Sequence, residues 1–585
     1  MTTTFTDEGR GSATPSMRPT LQGTRHMVAA GHYLAAHAGF EILEAGGNAI
    51  DAGVAAGMVL SVVQSELVNF AGVAPIMIYL AEAGEIVTIS GLGTWPRALD
   101  PELFQREHGG TIPESILRVV VPAAPDAWIT ALENYGSMRF GEVARAAIRF
   151  AGEGFVMYPL MAKLIAEHAE GYRRWPGNAA IYLPGGEPPR AGDLFVQSDL
   201  ARTLTYMADE ERAGGNGQGR EAGLRAARDA FYKGDIAAEI VRFHEASGGL
   251  LRAEDLAAFH VGIEPAASAR FHDLEVFTCG PWCQGPALLQ TLRLLEGFDL
   301  KALGHNSPDY IHVVTEALKL AFADRHHYYG DPRFVEVPLE ALLSNRYSDE
   351  RRGLIRADEA WPDMPPPGDV AGQGGRRYAE APVARNEVET ALDTSYVAVV
   401  DRHGNAFSAT PSDTAHNAPV VPGTGLCPST RGSQSWADPA HPSSAAPGKR
   451  PRLTPNPAIA VRRGKSVMPF GTPGGDVQIQ AMAQALINHE VFGMEPQAAV
   501  EAPRFATASF PNSFAPHNHY PGRLMLEGWF DEATGAALKR KGHDVQWWPV
   551  GDYKAGAICL VKRDEESGIL KGAADFRRAC YALGW

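Results

Sequence analysis

Asp393-Thr394-Ser395-Tyr396-Val397-Ala398-Val399-Val400-Asp401-Arg402-His403-Gly404 is the stretch that decides how the chain is read. Val397, Val399 and Val400 are β-branched and favour a pleated strand, and Asp401 to Asn405 supply turn chemistry. A second apolar run, Ala406 to Thr410, follows at once, so the stretch predicts a β-hairpin with a hydroxyl residue, Thr394, at its entrance. In front of it, residues 357–392 carry Pro362, Pro365-Pro366-Pro367, Gly372 and Gly374-Gly375 among scattered charges. That composition has little to bury and reads as flexible.

Working outward, Ala29, Tyr33, Ala36, Phe40 and Leu43 recur at steps of four and three and predict a helical pattern from Arg25, ended by Gly46-Gly47-Asn48. Asp51 to Val63 continues as a helix of small residues. Pro75 to Leu80 and Glu85 to Ser90 read as strands with weak alternation, hence buried on both faces. Pro122 to Tyr135, Phe140 to Gly152 and Asp309 to Ala323 are amphipathic. Strands are expected near Ala458 to Val461 and Ser466 to Phe470, a helix from Val477 to Val491, and a last strand from Ala557 to Lys562. Helices alternating with internal strands fit a layered α/β sandwich.

With 53 Lys and Arg against 68 Asp and Glu, the net charge is −15, which argues against nucleic acid or an anionic membrane as partner. Five cysteines suit a reducing compartment without a disulfide framework. The first 24 residues are polar and read as disordered, with no apolar core of a signal peptide. The longest apolar run, Val54 to Val63, is too short to span a bilayer, so a cytoplasmic location is expected. His326-His327 and His517 with His519 lack the ligand spacing of a closed metal site and read as surface or loop histidines. No metal and no cofactor are expected.

Seven short motifs in order resemble the γ-glutamyltranspeptidase family of N-terminal-nucleophile hydrolases. They are Gly46 to Ala52, Leu295 to Leu300, Glu316 to Arg325, Val421 to Gly425, Pro447 to Pro451, Pro473 to Gly475 and Glu501 to Phe505. The resemblance implies a four-layer αββα sandwich and a precursor that cuts itself before a threonine. The register of Val400-Asp401 and His403-Gly404-Asn405 places Thr394 on the family's nucleophile. Cleavage between Asp393 and Thr394 would give a large subunit (25–393, after the N-terminal stretch) and a small subunit (394–585), both in one domain. A threonine hydroxyl is a weak nucleophile at neutral pH, but the amine freed by such a cut, with a pKa of about 7.7–8.0, serves as its base. Ser412 falls where the family has a hydroxyl bonded to the nucleophile. Gly474 and Gly475, between a strand and a helix, fall on the family's oxyanion hole.

The substrate pocket departs from the family. Gly91-Leu92-Gly93-Thr94-Trp95-Pro96 lacks the arginine that holds the α-carboxylate, and Arg97 is out of register. Ser429 to Gln434 replaces the segment that holds the α-ammonium: it offers a cation, Arg431, with no matching acid, and Gln434 in place of an acidic residue. Arg431, Gln434, Thr414 and Thr454 form the expected substrate-binding set, with Arg431 gripping a planar carboxylate. Such altered pockets are similar to those of oxamate amidohydrolases and acylases of the family. Trp282 is read as a packing residue, and the loop Trp436 to Gly448 as bordering the pocket. The resulting expectation is a self-processed amidohydrolase for a small carboxylate-bearing substrate. Its rivals are a γ-glutamyltransferase or glutathione hydrolase, and a degenerate binding or structural relative. Homo-oligomers are compatible with any of these.

Overall fold

A computed structural model of the chain describes residues 16–585 apart from 371, 373, 377 and 386–392. Among the described residues, two seven-stranded antiparallel sheets lie face to face. One runs Leu21–Gly23, Leu570–Ala574, Cys559–Asp564, Ser466–Gly471, Ala458–Arg462, Leu274–Thr278, Ala267–Phe271. The other runs Tyr581–Gly584, Met27–Ala30, Val397–Val400, Ala406–Ala409, Ile76–Leu80, Glu85–Ile89, Ile263–Pro265. Helices cover both outer faces, giving the expected αββα layering.

The predicted hairpin forms in register, Val397 opposite Ala409 and Val400 opposite Ala406. Its alternation separates two cores, because successive strand residues point to opposite faces. Val397 and Val399 join the cluster under the helices, while Ala398 and Val400 join the cluster between the sheets. The turn is fixed by Asp401, whose carboxylate accepts N–H bonds from His403 (2.8 Å), Asn405 (3.0 Å) and Ala49 (3.0 Å). The last of these ties the hairpin to the start of the helix Ala49–Val63, which Asn48 and Asp51 close with a capping box. That helix is fully buried, and its small residues are obligatory. A Cβ on Gly53 would stand 2.1 Å from the Phe407 ring, and one on Gly57 2.5 Å from Trp128.

Several expectations change. Met27–Ala30, read as the start of a helix, is a strand between Val397–Val400 and Tyr581–Gly584, and the helix begins at Tyr33. Two neighbouring strands override the helical spacing there. The strand Cys559–Asp564 is followed by two more, so it is not the last. Leu21–Gly23, inside the stretch read as disordered, pairs with Leu570–Ala574, whereas residues 1–15 lie outside the described residues. The Pro- and Gly-rich segment has no regular structure over its described part but is held at several points. Ala360 donates to the Lys541 carbonyl (2.7 Å), Gly368 to Asp324 (3.0 Å) and the Tyr378 hydroxyl to the His327 carbonyl (3.0 Å). Residues 386–392, also read as flexible, lie outside the described residues.

Candidate active site

Thr394 precedes the strand by three residues and is fully buried, its φ of +82° in the left-handed region. A β-branched residue is strained there, and such strain persists only where the surroundings enforce it. Three bonds do so: the Thr394 N–H donates to the Leu67 carbonyl (2.9 Å), Arg578 donates to the Thr394 carbonyl (3.4 Å), and the Ser395 N–H donates to the Pro411 carbonyl (2.9 Å). Ser412 arrives three residues beyond the paired strand Ala406–Ala409, bonded through its backbone to Val73 (3.0 and 3.3 Å). Gly72 makes that approach possible, since a Cβ there would lie 2.2 Å from the Ser412 carbonyl.

The side chains then form two bonded runs, joined into one line by the backbone of the turn Arg431–Gln434. Thr394 Oγ1 donates to Asp393 Oδ1 (2.7 Å) and lies 2.7 Å from Ser412 Oγ. Ser412 Oγ in turn accepts from Arg431 Nη2, which also pairs with Asp393 Oδ2. Arg431 Nε pairs with Asp413 Oδ1 at 3.1 Å. Arg431 opens the short 3₁₀ turn Arg431–Gln434, and Gln434 donates to Thr454 Oγ1 (2.7 Å). Gln284 bridges from the Thr454 carbonyl (2.8 Å) to the Gly475 carbonyl (2.9 Å), and Arg325 orients Gln284 (3.0 Å) while pairing with Asp476.

Of the residues expected from sequence, Thr394, Asp393, Ser412, Arg431, Gln434, Thr454 and Gly475 lie on this line, with Gly474 adjoining it. Thr414 is buried beside Asp413, directs its carbonyl toward Cys427 Sγ (3.9 Å) and stands outside it. Gly474 and Gly475 take φ of +125° and +56° between the strand Ser466–Gly471 and the helix Gln478–Glu490, a path that favours glycine. Among the described residues their N–H groups meet no acceptor, the condition an oxyanion hole requires.

Arg431 is 1% exposed, and the structure adds acids that pair with it: Asp413, and Asp393 in the uncut chain. Burial raises the Asp413 carboxyl, while Arg431 and the hydroxyls of Ser429 and Thr430 act in the opposite direction. Asp413 accepts from Ser429 Oγ (2.7 Å), Thr430 Oγ1 (2.8 Å) and Thr430 N (3.2 Å) besides its ion pair with the guanidinium. Its own φ is +116°. Sequence reasoning missed it, although an acid flanked by two hydroxyl residues, Ser412-Asp413-Thr414, was a visible signal.

Of the histidines read as superficial, His327, His517 and His519 are buried and His326 is half-buried. His517 stacks on Trp436 (4.0 Å, 5° between planes), and His326 packs on Trp436 and His441. Burial lowers the His326 and His441 pKa values and takes His517 down to about 4, so these rings are neutral packing groups. They seat the loop that follows Trp436 against the site. Trp282 packs as expected, its indole donating to Glu264 (2.8 Å). Arg97 lies off the line, its N–H on Asp255 (3.0 Å). Among the described residues His312, Glu316 and His543 are grouped as metal ligands could be. There Lys319 Nζ already neutralises Glu316 at 2.8 Å, and the two histidines hydrogen-bond each other at 2.9 Å.

A cleft of about 490 Å³, open solvent included, adjoins the glycine pair and is lined by Val477, Phe510, Phe514, Tyr520, Met525 and Trp548. The Arg431 guanidinium lies 5.5 Å from the centre of the Phe514 ring, joining the cleft to the polar line.

Residues 35–585 match the gamma-glutamyltranspeptidase family. The chain is 33% identical over 570 residues to the acylase ACY 1 proenzyme of Pseudomonas sp. (strain SE83), covering 95% of this chain and 92% of that one. It is 29% identical to the oxamate amidohydrolase proenzyme of Klebsiella pneumoniae, over 96% and 99% of the two chains. Among solved structures, cephalosporin acylase from Bacillus halodurans superimposes with a TM-score of 0.84 at 28% identity, covering 99% of each chain. The chain belongs to the gamma-glutamyltranspeptidase family of N-terminal-nucleophile hydrolases.

Proposed function

We propose that the chain cuts itself between Asp393 and Thr394 and then hydrolyses an amide of a small carboxylate-bearing substrate through an acyl ester on Thr394. The observation that carries this reading is the buried Thr394 hydroxyl, 2.7 Å from both Ser412 Oγ and Asp393 Oδ1, on a strained backbone. The cut frees the Thr394 amine, which takes the hydroxyl proton during turnover. Ser412 donates to Oγ1 and is itself held by Arg431. The Gly474 and Gly475 N–H groups receive the oxyanion, and the apolar cleft receives the remainder of the substrate.

Arg431 supports the carboxylate. In the uncut chain it already holds one, that of Asp393, and its Nη1 is buried without a partner. A γ-glutamyl headgroup would also need an anion for its ammonium, and Asp413 has its oxygens committed to Ser429, Thr430 and Arg431.

On a denaturing gel the protein is expected as bands of about 42 and 21 kDa, the shares of 62.8 kDa on either side of residue 393. Thr394→Ala is expected as one intact band. An uncut wild-type chain, or a cut Thr394→Ala chain, would refute the reading. Robust turnover of a γ-glutamyl anilide would refute the substrate assignment.

A further inference from the structure

Asp393 places two groups in the site at once: the carbonyl carbon that Thr394 attacks and, two carbons away, a carboxylate on Arg431. Its Oδ2 pairs with Arg431 Nη2 while its Oδ1 accepts the Thr394 hydroxyl at 2.7 Å. We infer that the mature site selects succinyl-type acyl groups, in which two carbons separate the scissile carbonyl from a terminal carboxylate. This rests on the Thr394 reading above and adds the acyl length to it.

The argument runs through the self-cleavage chemistry. Thr394 Oγ1 attacks the Asp393 carbonyl carbon, and its proton passes to Asp393 Oδ1. The C–N bond breaks, the leaving nitrogen takes the proton from Asp393 Oδ1, and an ester joins the Asp393 acyl carbon to Thr394 Oγ1. Water then hydrolyses that ester, leaving a new carboxylate on Asp393 and the free hydroxyl and amine of Thr394. At the ester stage the group carried by Thr394 is an aspartyl acyl group, a succinyl skeleton whose far carboxylate rests on Arg431. Turnover passes through the same ester on the same oxygen, so it meets the same cation at the same reach.

That reach is fixed. Arg431 is anchored through Nε by Asp413 (3.1 Å), through Nη2 by Ser412 and against the Phe514 ring, and it is 1% exposed. When the cut end of the large subunit leaves, Nη2 is released beside Nη1, and the fork faces whatever acyl group Thr394 carries. Each extra or missing carbon moves a carboxylate by about 1.3 Å along an extended chain whose bonds are ~1.5 Å long. Misplacement by about 1 Å can cost ~100-fold in rate. A glutaryl group is one carbon too long for the Asp393 arrangement, and an oxalyl group two carbons too short.

The test compares the 4-nitroanilides of succinate, glutarate, oxalate and acetate with the cleaved enzyme. The succinyl compound is expected to show a kcat/KM at least tenfold above each of the others. In Arg431→Met the succinyl-to-acetyl ratio should fall toward one. A faster glutaryl or oxalyl compound would overturn the inference.

Calorimetry on the cleaved enzyme reads acyl length without turnover, with the free diacid products as probes. Succinate should bind at least tenfold more tightly than glutarate or oxalate, whereas uncut Thr394→Ala, with Asp393 still on Arg431, should not bind succinate. Equal binding of the three by the cleaved enzyme, or binding by the uncut variant, would overturn the inference. A wild-type chain that never cuts would instead refute the Thr394 reading.

Discussion

Glu66 stands one residue before the carbonyl that receives the Thr394 N–H, and burial pushes its carboxyl up to about 7 against the pull of Tyr158 and Arg578. The Tyr158 hydroxyl donates to one of its oxygens, and the other is buried without a partner. Gln64 continues the network, donating to Tyr158 Oη (3.2 Å) and accepting from Ser395 Oγ (2.6 Å). Because the folded pKa lies above the unfolded value of 4.5, the folded state holds its proton longer. Stability therefore falls as pH rises from about 4.5 to 7 and is flat in this respect above 7. The size of the effect is about 3 kcal/mol, at about 1.4 kcal/mol per pKa unit. Glu66→Gln should remove that slope, so that the variant gains on the wild type between pH 5 and pH 8. Urea midpoints at intermediate pH values check it, and parallel profiles would sink the assignment. At Ser412 the expectation concerns rate. Ser412→Ala removes the donor to Thr394 Oγ1 and leaves Arg431 Nη2 one acceptor short in a buried site. Self-cleavage should slow by roughly tenfold or more, the effect of about 1.4 kcal/mol. A time course on denaturing gels at wild-type speed would show that Ser412 only packs.

At the scale of elements, the helix Ala49–Val63 shows why local preference does not decide stability. Replacing a helical glycine with alanine normally stabilises by roughly 1 kcal/mol. At Gly53 the new methyl would meet Phe407 at 2.1 Å in a close-packed core, and overpacking costs roughly 1–3 kcal/mol. Gly53→Ala should therefore lower the thermal midpoint, and a raised midpoint would show that Phe407 can move aside. The hairpin beneath this helix was legible because its signals are local: β-branched residues, then Asp401 and Gly404. Met27–Ala30 was not, because strand formation there depends on edges supplied by residues 397–400 and 581–584, several hundred positions away. The glycine pair was legible for the same local reason as the hairpin, since a Pro-Gly-Gly run between apolar strand and helix admits few backbone paths.

Across the whole molecule, the two sides of Thr394 are interleaved. Met27–Ala30 pairs on both edges with strands from beyond residue 393, Ile76–Leu80 pairs with Ala406–Ala409, and Leu274–Thr278 pairs with Ala458–Arg462. Breaking one peptide bond leaves these ladders and the three large shared cores in place. The cut protein should elute from a sizing column at the volume of uncut Thr394→Ala and separate into its two pieces only in denaturant. Separate elution in plain buffer would contradict this interleaving. The same packing leaves no helix among the described residues long and apolar enough to cross a membrane.

By itself the sequence determined the hairpin, the place of Thr394 at its entrance and the glycine pair at a strand-to-helix turn. All of these are encoded in neighbouring residues whose backbone preferences act over a few positions. Only the tertiary structure decided that Met27–Ala30 is a strand, that His441 and His517 beside Trp436 are buried, and that Arg431 is shared between Asp413 and Asp393. Those outcomes depend on which distant groups are desolvated together, and a buried charge takes whatever partner the fold brings within about 3 Å, whatever its distance along the chain.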